Sequence, residues 1–94
     1  MKINKSLHTE EFQRKLYDKM ITLFGFDVPY ERINSFEISN NVEWMIRVIF
    51  YHSNGCINNF DFTEKFLLDN YSKEHFESWY NEEIRKIKID KLNG

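Results

Sequence analysis

Residues 36–62 read FEISNNVEWMIRVIFYHSNGCINNFDF, and this stretch decides the fold. Apolar and aromatic side chains, together with one histidine and one cysteine, recur in it at even-numbered positions. These are Phe36, Ile38, Val42, Trp44, Ile46, Val48, Phe50, His52, Cys56, Phe60 and Phe62. Alternation with a period of two is typical of β-strands, in which successive side chains point to opposite faces. We therefore predict three antiparallel strands whose even-numbered residues share one face.

The connections between these strands are predicted to be three residues long. Even-numbered residues of neighbouring antiparallel strands share a face only when the numbers of opposed residues add up to an even number. Ser39-Asn40-Asn41 and Ser53-Asn54-Gly55 fit this length, and each ends in a residue that tolerates a positive φ. A two-residue Asn54-Gly55 turn is the alternative, but it would mix the two faces. The three-residue register predicts the facing pairs Phe36–Trp44, Val48–Phe60 and Arg47–Asp61, together with an unfavourable Glu37–Glu43 pair.

Helices are predicted before and after this meander. Thr9 can cap a first helix that ends at Gly25. Thr63 can cap a short second helix, and Ser72 can cap a longer third one. The stretch 85–90 alternates like a strand as well as fitting a helix, which leaves the end of the last helix open. The predicted fold is α+β in the order α-β-β-β-α-α, with the helices packed on the even-numbered face.

The composition is typical of one small domain, residues 1–94, with an aromatic core. The chain has nine Phe, five Tyr and two Trp, and each such ring can bury roughly 150–250 Å². Cys56 is the single cysteine, which excludes an intrachain disulfide and a Cys-rich zinc site. No apolar run approaches the ~18 residues of a membrane span, and the N-terminus lacks an apolar signal core. We expect a cytoplasmic protein without membrane contact.

Catalytic and cofactor-binding patterns are missing from the sequence. The three histidines lack HxxxH spacing, and the three glycines are too scattered to form a phosphate-binding loop. His52 and Cys56 should face each other where the second hairpin opens, but no third group is in place to orient the imidazole. A small buried thiol beside a hydrogen-bonded histidine is the favoured interpretation. We predict no enzyme activity, no metal, no cofactor and no small-molecule substrate.

The odd-numbered face of the sheet is the first candidate for function. It carries four apolar side chains among charged ones, at Met45, Ile49, Tyr51 and Ile57. If every helix packs on the other face, these four form an exposed apolar cluster rimmed by charge, which is typical of a protein-binding surface. If one helix wraps underneath, they belong to a core instead. The sequence leaves both arrangements open.

The acidic side of the C-terminal helices is the second candidate, with Glu74, Glu77, Glu82 and Glu83 as its main members. Closely spaced carboxylates can imitate a phosphate track and occupy a basic nucleic-acid channel on another protein. Ordinary solvated helix faces show the same pattern. The neighbouring basic residues Arg85, Lys86, Lys88 and Lys91 either complement the helix dipole or contact nucleic-acid phosphates.

Binding to another protein is the function that these features favour. A domain of this size without a catalytic constellation offers little as an enzyme. Small size and surplus aromatic side chains suit a module that acts by steric occlusion of a larger partner. A small nucleic-acid-binding transcriptional regulator is the alternative, because the C-terminus is basic. The formal net charge of −2 argues against that alternative.

The predicted element order resembles that of a group of small phage proteins. These are the anti-CRISPR inhibitors that fill the DNA-recognition groove of a type II Cas nuclease. The bias toward Lys, Asn, Ile, Phe and Tyr is also typical of an AT-rich genome, such as that of a low-GC bacterium or its phage. The resemblance implies a phage or mobile-element inhibitor of a host defence protein, with a larger, nucleic-acid-binding host enzyme as the partner. An immunity protein of a bacterial toxin would have the same features.

Overall fold

The computed structural model describes residues 3–42, 45–64 and 69–93. The helices and strands in the described residues are α1 (Glu10–Phe24), β1 (Ile33–Val42), β2 (Met45–His52), β3 (Ile57–Thr63) and α2 (Lys73–Asn93). Short 3₁₀ turns cover Lys5–Leu7, Tyr30–Arg32 and Asp69–Tyr71. The strands form one antiparallel sheet in the order β1-β2-β3. The α+β class is therefore confirmed, with two helices in the described residues.

The short helix predicted after Thr63 is not found in the part of the chain that the structure describes. Thr63 is the last residue of β3 and pairs with Met45, and Asp69–Tyr71 form a 3₁₀ turn rather than an α-helix. Residues 66 and 67 of the prediction lie outside the described residues. The described order is α-β-β-β-α, and α2 runs as a helix through the stretch 85–90.

Two of the three predicted helix N-caps, Thr9 and Ser72, are confirmed. The Thr9 hydroxyl accepts a hydrogen bond from the N–H of Phe12 at 3.1 Å, and the Ser72 hydroxyl accepts one from the N–H of His75 at 3.1 Å. Each cap satisfies a backbone donor that has no partner within its helix. Gly25 follows α1 in the left-handed conformation, with φ 69°. Single residues thus set three helix boundaries.

The second hairpin has the predicted register. Val48 lies opposite Phe60, and Arg47 lies opposite Asp61. The N–H of His52 donates to the carbonyl of Cys56 at 2.8 Å, so residues 53–55 form the connection between this bonded pair. The glycine of the connection has a φ of 92°. This conformation is the one that a type I turn followed by a bulge requires. The three-residue connection is therefore correct for this hairpin.

The first hairpin has a different register, and its two predicted pairs, Phe36–Trp44 and Glu37–Glu43, are wrong. Phe36 faces Phe50 instead, and Glu37 faces Ile49. Between Ser35 and Ser39 the numbers of opposed residues still add up to an even number, so the even-numbered face is preserved. The predicted parity is correct, but the predicted pairing is displaced along the strand.

The displacement arises because β1 is longer than expected. Residues 39–41 belong to the strand rather than to a turn, and Val42 pairs with Met45. The connection is thereby moved to residues 43–44, which lie outside the described residues. The longer ladder gives Phe50 a partner on β1 and on β3 at once. Phe50 is fully buried as a result.

Both helices pack on the even-numbered face of the sheet. The ring of Phe62 stacks on the ring of Phe76 in α2, with 4.6 Å between their centres. The ring centre of Phe36 lies 5.9 Å from that of Phe12 in α1. The even-numbered residues Ile46, Val48, Phe50 and Phe62 are fully buried. The shortest extent of the molecule, 23 Å, corresponds to one sheet and one layer of helices. Neither of these helices has the length and apolar character that crossing a bilayer would demand.

Candidate functional site

Apart from Ile33, which is buried in the core, the odd-numbered strand residues lie on the side of the sheet away from the helices, and we call this side the open face. Its described members are Ser35, Glu37, Ser39, Met45, Arg47, Ile49, Tyr51, Ile57, Asn59, Asp61 and Thr63. The register arranges them in rows across the three strands. The main rows are Ser35–Tyr51–Ile57, Glu37–Ile49–Asn59 and Ser39–Arg47–Asp61.

The four apolar residues predicted as a partner-binding surface share the open face. Ile49, Tyr51 and Ile57 are neighbours on it, and the Arg47–Asp61 pair separates Met45 from Ile49. Tyr51 and Ile57 are directly opposed, and Ile49 and Met45 follow along β2. Met45, Ile49 and Tyr51 are half-buried, while Ile57 is 52% exposed. Ring contacts between helix and sheet in the described residues use even-numbered strand positions only, as at Phe36, Phe50, Phe60 and Phe62. Neither of the two described helices therefore covers this face of the sheet.

Two fixed polar contacts bound this apolar cluster. The Tyr51 hydroxyl donates to Oε2 of Glu37 at 2.8 Å. This hydrogen bond, reinforced by burial, raises the pKa of Tyr51, so the hydroxyl keeps its proton at neutral pH. Arg47 donates to both carboxylate oxygens of Asp61, from Nε at 2.7 Å and from Nη2 at 3.3 Å. Such bidentate geometry restricts the orientation of both side chains.

The four glutamates of the second candidate surface do not form one acidic track. Glu74 and Glu82 are exposed, and Glu77 is half-buried. Glu83 is only 8% exposed, because it lies against α1 with its Oε2 3.1 Å from Nζ of Lys15. Helix geometry separates it from the solvent-facing side on which Glu74 lies. Glu83 therefore joins the two helices.

The solvent-facing side of α2 carries charges of both signs. Arg85 and Lys88 are exposed, and helical spacing places them on the same side as Glu74. Lys86 lies 3.8 Å from Glu82, an i,i+4 pair. Exposed pairs of this kind contribute little to stability and leave no continuous field of one sign. The geometry thus favours the open face over the acidic surface as the candidate site.

A groove beside β1 has no signature in the sequence. It lies between the first turn of α1 and the outer edge of β1, with a volume of about 540 Å³. Its walls include the rings of His8, Tyr30 and Phe36 and the carboxylates of Glu10 and Glu31. These residues are brought together only when α1 packs across the sheet. Neither spacing nor periodicity along the chain could have indicated them.

His52 and Cys56 face each other where the second hairpin opens, as predicted, because the N–H of His52 donates to the carbonyl of Cys56 at 2.8 Å. The expected buried thiol beside a hydrogen-bonded histidine is wrong. Cys56 is exposed at the end of the second hairpin. Nε2 of His52 is buried and has no hydrogen-bond partner in the described part of the chain. Across the described ranges, no three His, Cys, Asp or Glu side chains come together as a metal site would need.

Comparisons with known proteins give no independent assignment. No protein-family model matches the chain, and neither curated proteins nor solved structures include a match. In the described residues the fold is a two-layer α+β arrangement, and neither of its two helices packs on the open face. Its function has to be inferred from the chemistry of that surface.

Proposed function

We propose that this protein is a small protein-binding module that acts by steric occlusion, covering a surface of a larger partner with its open face. The observation that carries the proposal is the apolar cluster Met45, Ile49, Tyr51 and Ile57, which lies on the side of the sheet away from both helices. A core of apolar side chains surrounded by polar ones is the ordinary anatomy of a protein interface. The ordered contacts of Tyr51 and Arg47 reduce the entropy lost on binding.

The charges around the cluster indicate what the partner looks like. Glu37 and Asp61 are negative and Arg47 is positive, so the described open face carries a small excess of negative charge. Complementarity calls for an apolar centre with basic residues around it. Nucleic-acid-binding enzymes present such basic surfaces. The proposed partner is therefore a larger host protein of this kind.

The biological role that we propose is antagonism of that host protein. An inhibitor carried by a phage or mobile element, similar to anti-CRISPR proteins, acts by occupying a working surface. An immunity protein acts on a toxin in the same way. Both roles need tight one-to-one binding and no chemistry. The exposed side of α2 carries charges of both signs, so it supports mimicry of DNA less than the open face supports occlusion.

The test compares three variants in affinity capture from a low-GC bacterial lysate, with mass spectrometry of the retained protein. Ile57→Ser removes the most exposed apolar member of the cluster, and Ile49→Ala combined with Tyr51→Ala removes its centre. Leu92→Ser is the matched control, because Leu92 is an exposed apolar residue on α2, 86% accessible. Thermal melting of each variant checks that the fold is intact.

We expect one stoichiometric partner with the natural chain and with Leu92→Ser, at low and high salt. Ile57→Ser should weaken its binding about tenfold or more, since burial of a large apolar side chain contributes ~1.5–3 kcal/mol. The double variant should abolish it. Equal retention by all variants would exclude the open face. Recovery of nucleic acid alone, lost as salt rises, would favour the transcriptional regulator instead.

A further inference from the structure

The groove beside β1 is the strongest candidate for a second site. It is lined by His8, Glu10, Gln13, Tyr30, Glu31 and Phe36, among others. A smaller hollow of about 250 Å³ adjoins it, and Ser35 and Glu37 of the open face line that hollow. A partner lying on the open face can therefore reach around the edge of β1 into the groove.

Two of the residues that line the groove carry negative charge. Glu10 and Glu31 are exposed, and neither takes part in an ion pair within the described residues. Lys5 lines the adjoining hollow rather than the groove itself. A cationic side chain from outside would complete this arrangement.

The aromatic walls select the kind of cation. The Tyr30 ring is held in place because its hydroxyl accepts a hydrogen bond from Nε2 of Gln13 at 3.2 Å. The guanidinium of Arg14 lies 4.6 Å from the centre of the same ring, so a planar cation of the chain itself already takes one position over Tyr30, and the rings of His8 and Phe36 are the other aromatic side chains lining the groove. A guanidinium combines such stacking with several donors for carboxylates, and an ammonium does not.

The outer edge of β1 offers unpaired main-chain groups next to these walls. The N–H of His52 donates to the carbonyl of Cys56, so even-numbered residues of β2 bond to β3 and odd-numbered ones bond to β1. By the same alternation, odd-numbered residues of β1 bond to β2, and Phe36 directs its N–H and C=O outward. Neither group has a hydrogen-bond partner in the described residues.

The available edge is short. Ile38, the next residue that directs its main chain outward, is only 2% exposed. Asn34 is exposed and lies at an irregularity in the pairing of β1. The edge therefore accommodates a few residues of extended chain rather than a full added strand.

We propose that this groove binds a short, extended, arginine-bearing segment of a partner protein. The main chain of the segment pairs with the N–H and C=O of Phe36. The arginine side chain lies along the aromatic wall, and its guanidinium contacts the carboxylates of Glu10 and Glu31. A second copy of this chain is disfavoured, because it would bring like-charged grooves together. The inference rests on the proposed function in one respect, since the segment belongs to the same partner.

The experiment uses the full chain labelled with ¹⁵N and the acetylated, amidated peptide Gly-Val-Arg-Val-Gly as probe. The matched control peptide has citrulline in place of arginine, which keeps the shape and removes the charge. We expect saturable shifts of the amide signals of Glu10, Gln13, Glu31 and Phe36. The arginine peptide should bind at least about tenfold more tightly than the citrulline peptide, and its affinity should fall as salt rises.

Three variants complete the test. Glu10→Gln and Glu31→Gln should each weaken the arginine peptide several-fold, whereas Glu82→Gln, an exposed change on α2, should leave it unchanged. Equal affinity for the two peptides, shifts outside the groove, or the absence of saturable shifts would overturn the inference. Ile57→Ser should not affect the peptide, so a failure of the open face and a failure of the groove are distinguishable.

Discussion

Gly25 shows how a single residue limits an element. It lies in the left-handed region with φ 69°, and its N–H donates to the carbonyl of Ile21 at 3.0 Å. This is the simple left-handed form of a helix stop. An added Cβ would meet no atom within 4 Å. The requirement for glycine is therefore conformational and not a matter of space.

Substitution of Gly25 tests this interpretation. Gly25→Ala should lower the free energy of unfolding by ~1–2 kcal/mol, because the left-handed conformation is unfavourable for a residue with a Cβ. Gly25→Asn should cost less, because asparagine tolerates that conformation better. Urea unfolding of both variants measures the difference. An alanine variant as stable as the natural chain would show that α1 can end in another way.

Glu83 and Lys15 illustrate what links one element to another. Glu83 on α2 is nearly buried, and Nζ of Lys15 on α1 lies 3.1 Å from its Oε2. This hydrogen bond raises the pKa of Lys15. Nζ of Lys86 lies 3.7 Å from the other carboxylate oxygen. A carboxylate removed from water in this way needs its partners, because an unpaired one is costly.

A double-mutant cycle measures this link between the helices. Glu83→Gln should lower the free energy of unfolding by ~1–2 kcal/mol, a range typical of hydrogen bonds to charged groups. Lys15→Met supplies the second arm of the cycle. Glu11→Gln is the control, since Glu11 forms an exposed i,i+4 pair with the same lysine, and such pairs contribute only ~0.2–0.5 kcal/mol. Equal effects of Glu83→Gln and Glu11→Gln would contradict the proposed link.

The alternation in the sequence predicted the faces of the strands better than it predicted their pairing. Parity depends on each residue's own polarity, so it survives any displacement by an even number of residues. The choice among such displacements depends on the whole ladder. Asn40 and Asn41 are good turn residues locally, but they lie in β1 because the longer ladder sets Phe36 against Phe50. Local turn preference was outweighed by tertiary packing.

The candidate sites also differ in whether they depend on the pattern along one segment or on packing between distant segments. The shared parity of Met45, Ile49, Tyr51 and Ile57 predicted that they lie on one face of the sheet, but it left open whether a helix covers that face. The burial of Glu83 could not be predicted, since it depends on where α1 packs against α2. The groove unites residues from α1, the turn before β1 and β1 itself. Sites built from distant segments leave no period in the sequence.

The N-terminal segment and the last helix are fastened together through a buried hydroxyl. The N–H of Asn4 donates to the hydroxyl oxygen of Tyr80 at 3.1 Å, and that oxygen lies 2.8 Å from Nε2 of His8. The imidazole stacks on Phe12 with 4.9 Å between ring centres. Burial, aided by the nearby Lys5 charge, lowers the pKa of His8.

The pH dependence of stability follows from this direction. A pKa below the ordinary 6.5 in the folded state means that the unfolded chain binds more protons as the pH falls below 6.5. The contribution of His8 is thus fully present above that pH and is lost as the pH falls toward the folded-state pKa. Relative to His8→Gln, the natural chain should lose stability over this interval, measured by urea unfolding at successive pH values. A constant difference, or one of opposite slope, would refute the assignment.

The exposed position of Cys56 has a practical consequence. It is the chain's only cysteine, and it lies at the end of the second hairpin beside Ile57. A maleimide-linked fluorophore or nitroxide would attach at this single point, without disturbing the helical layer. The label would stand at the margin of the open face. Quenching or broadening of its signal would then report the arrival of a second molecule there, in real time and without any change to the residues that meet it.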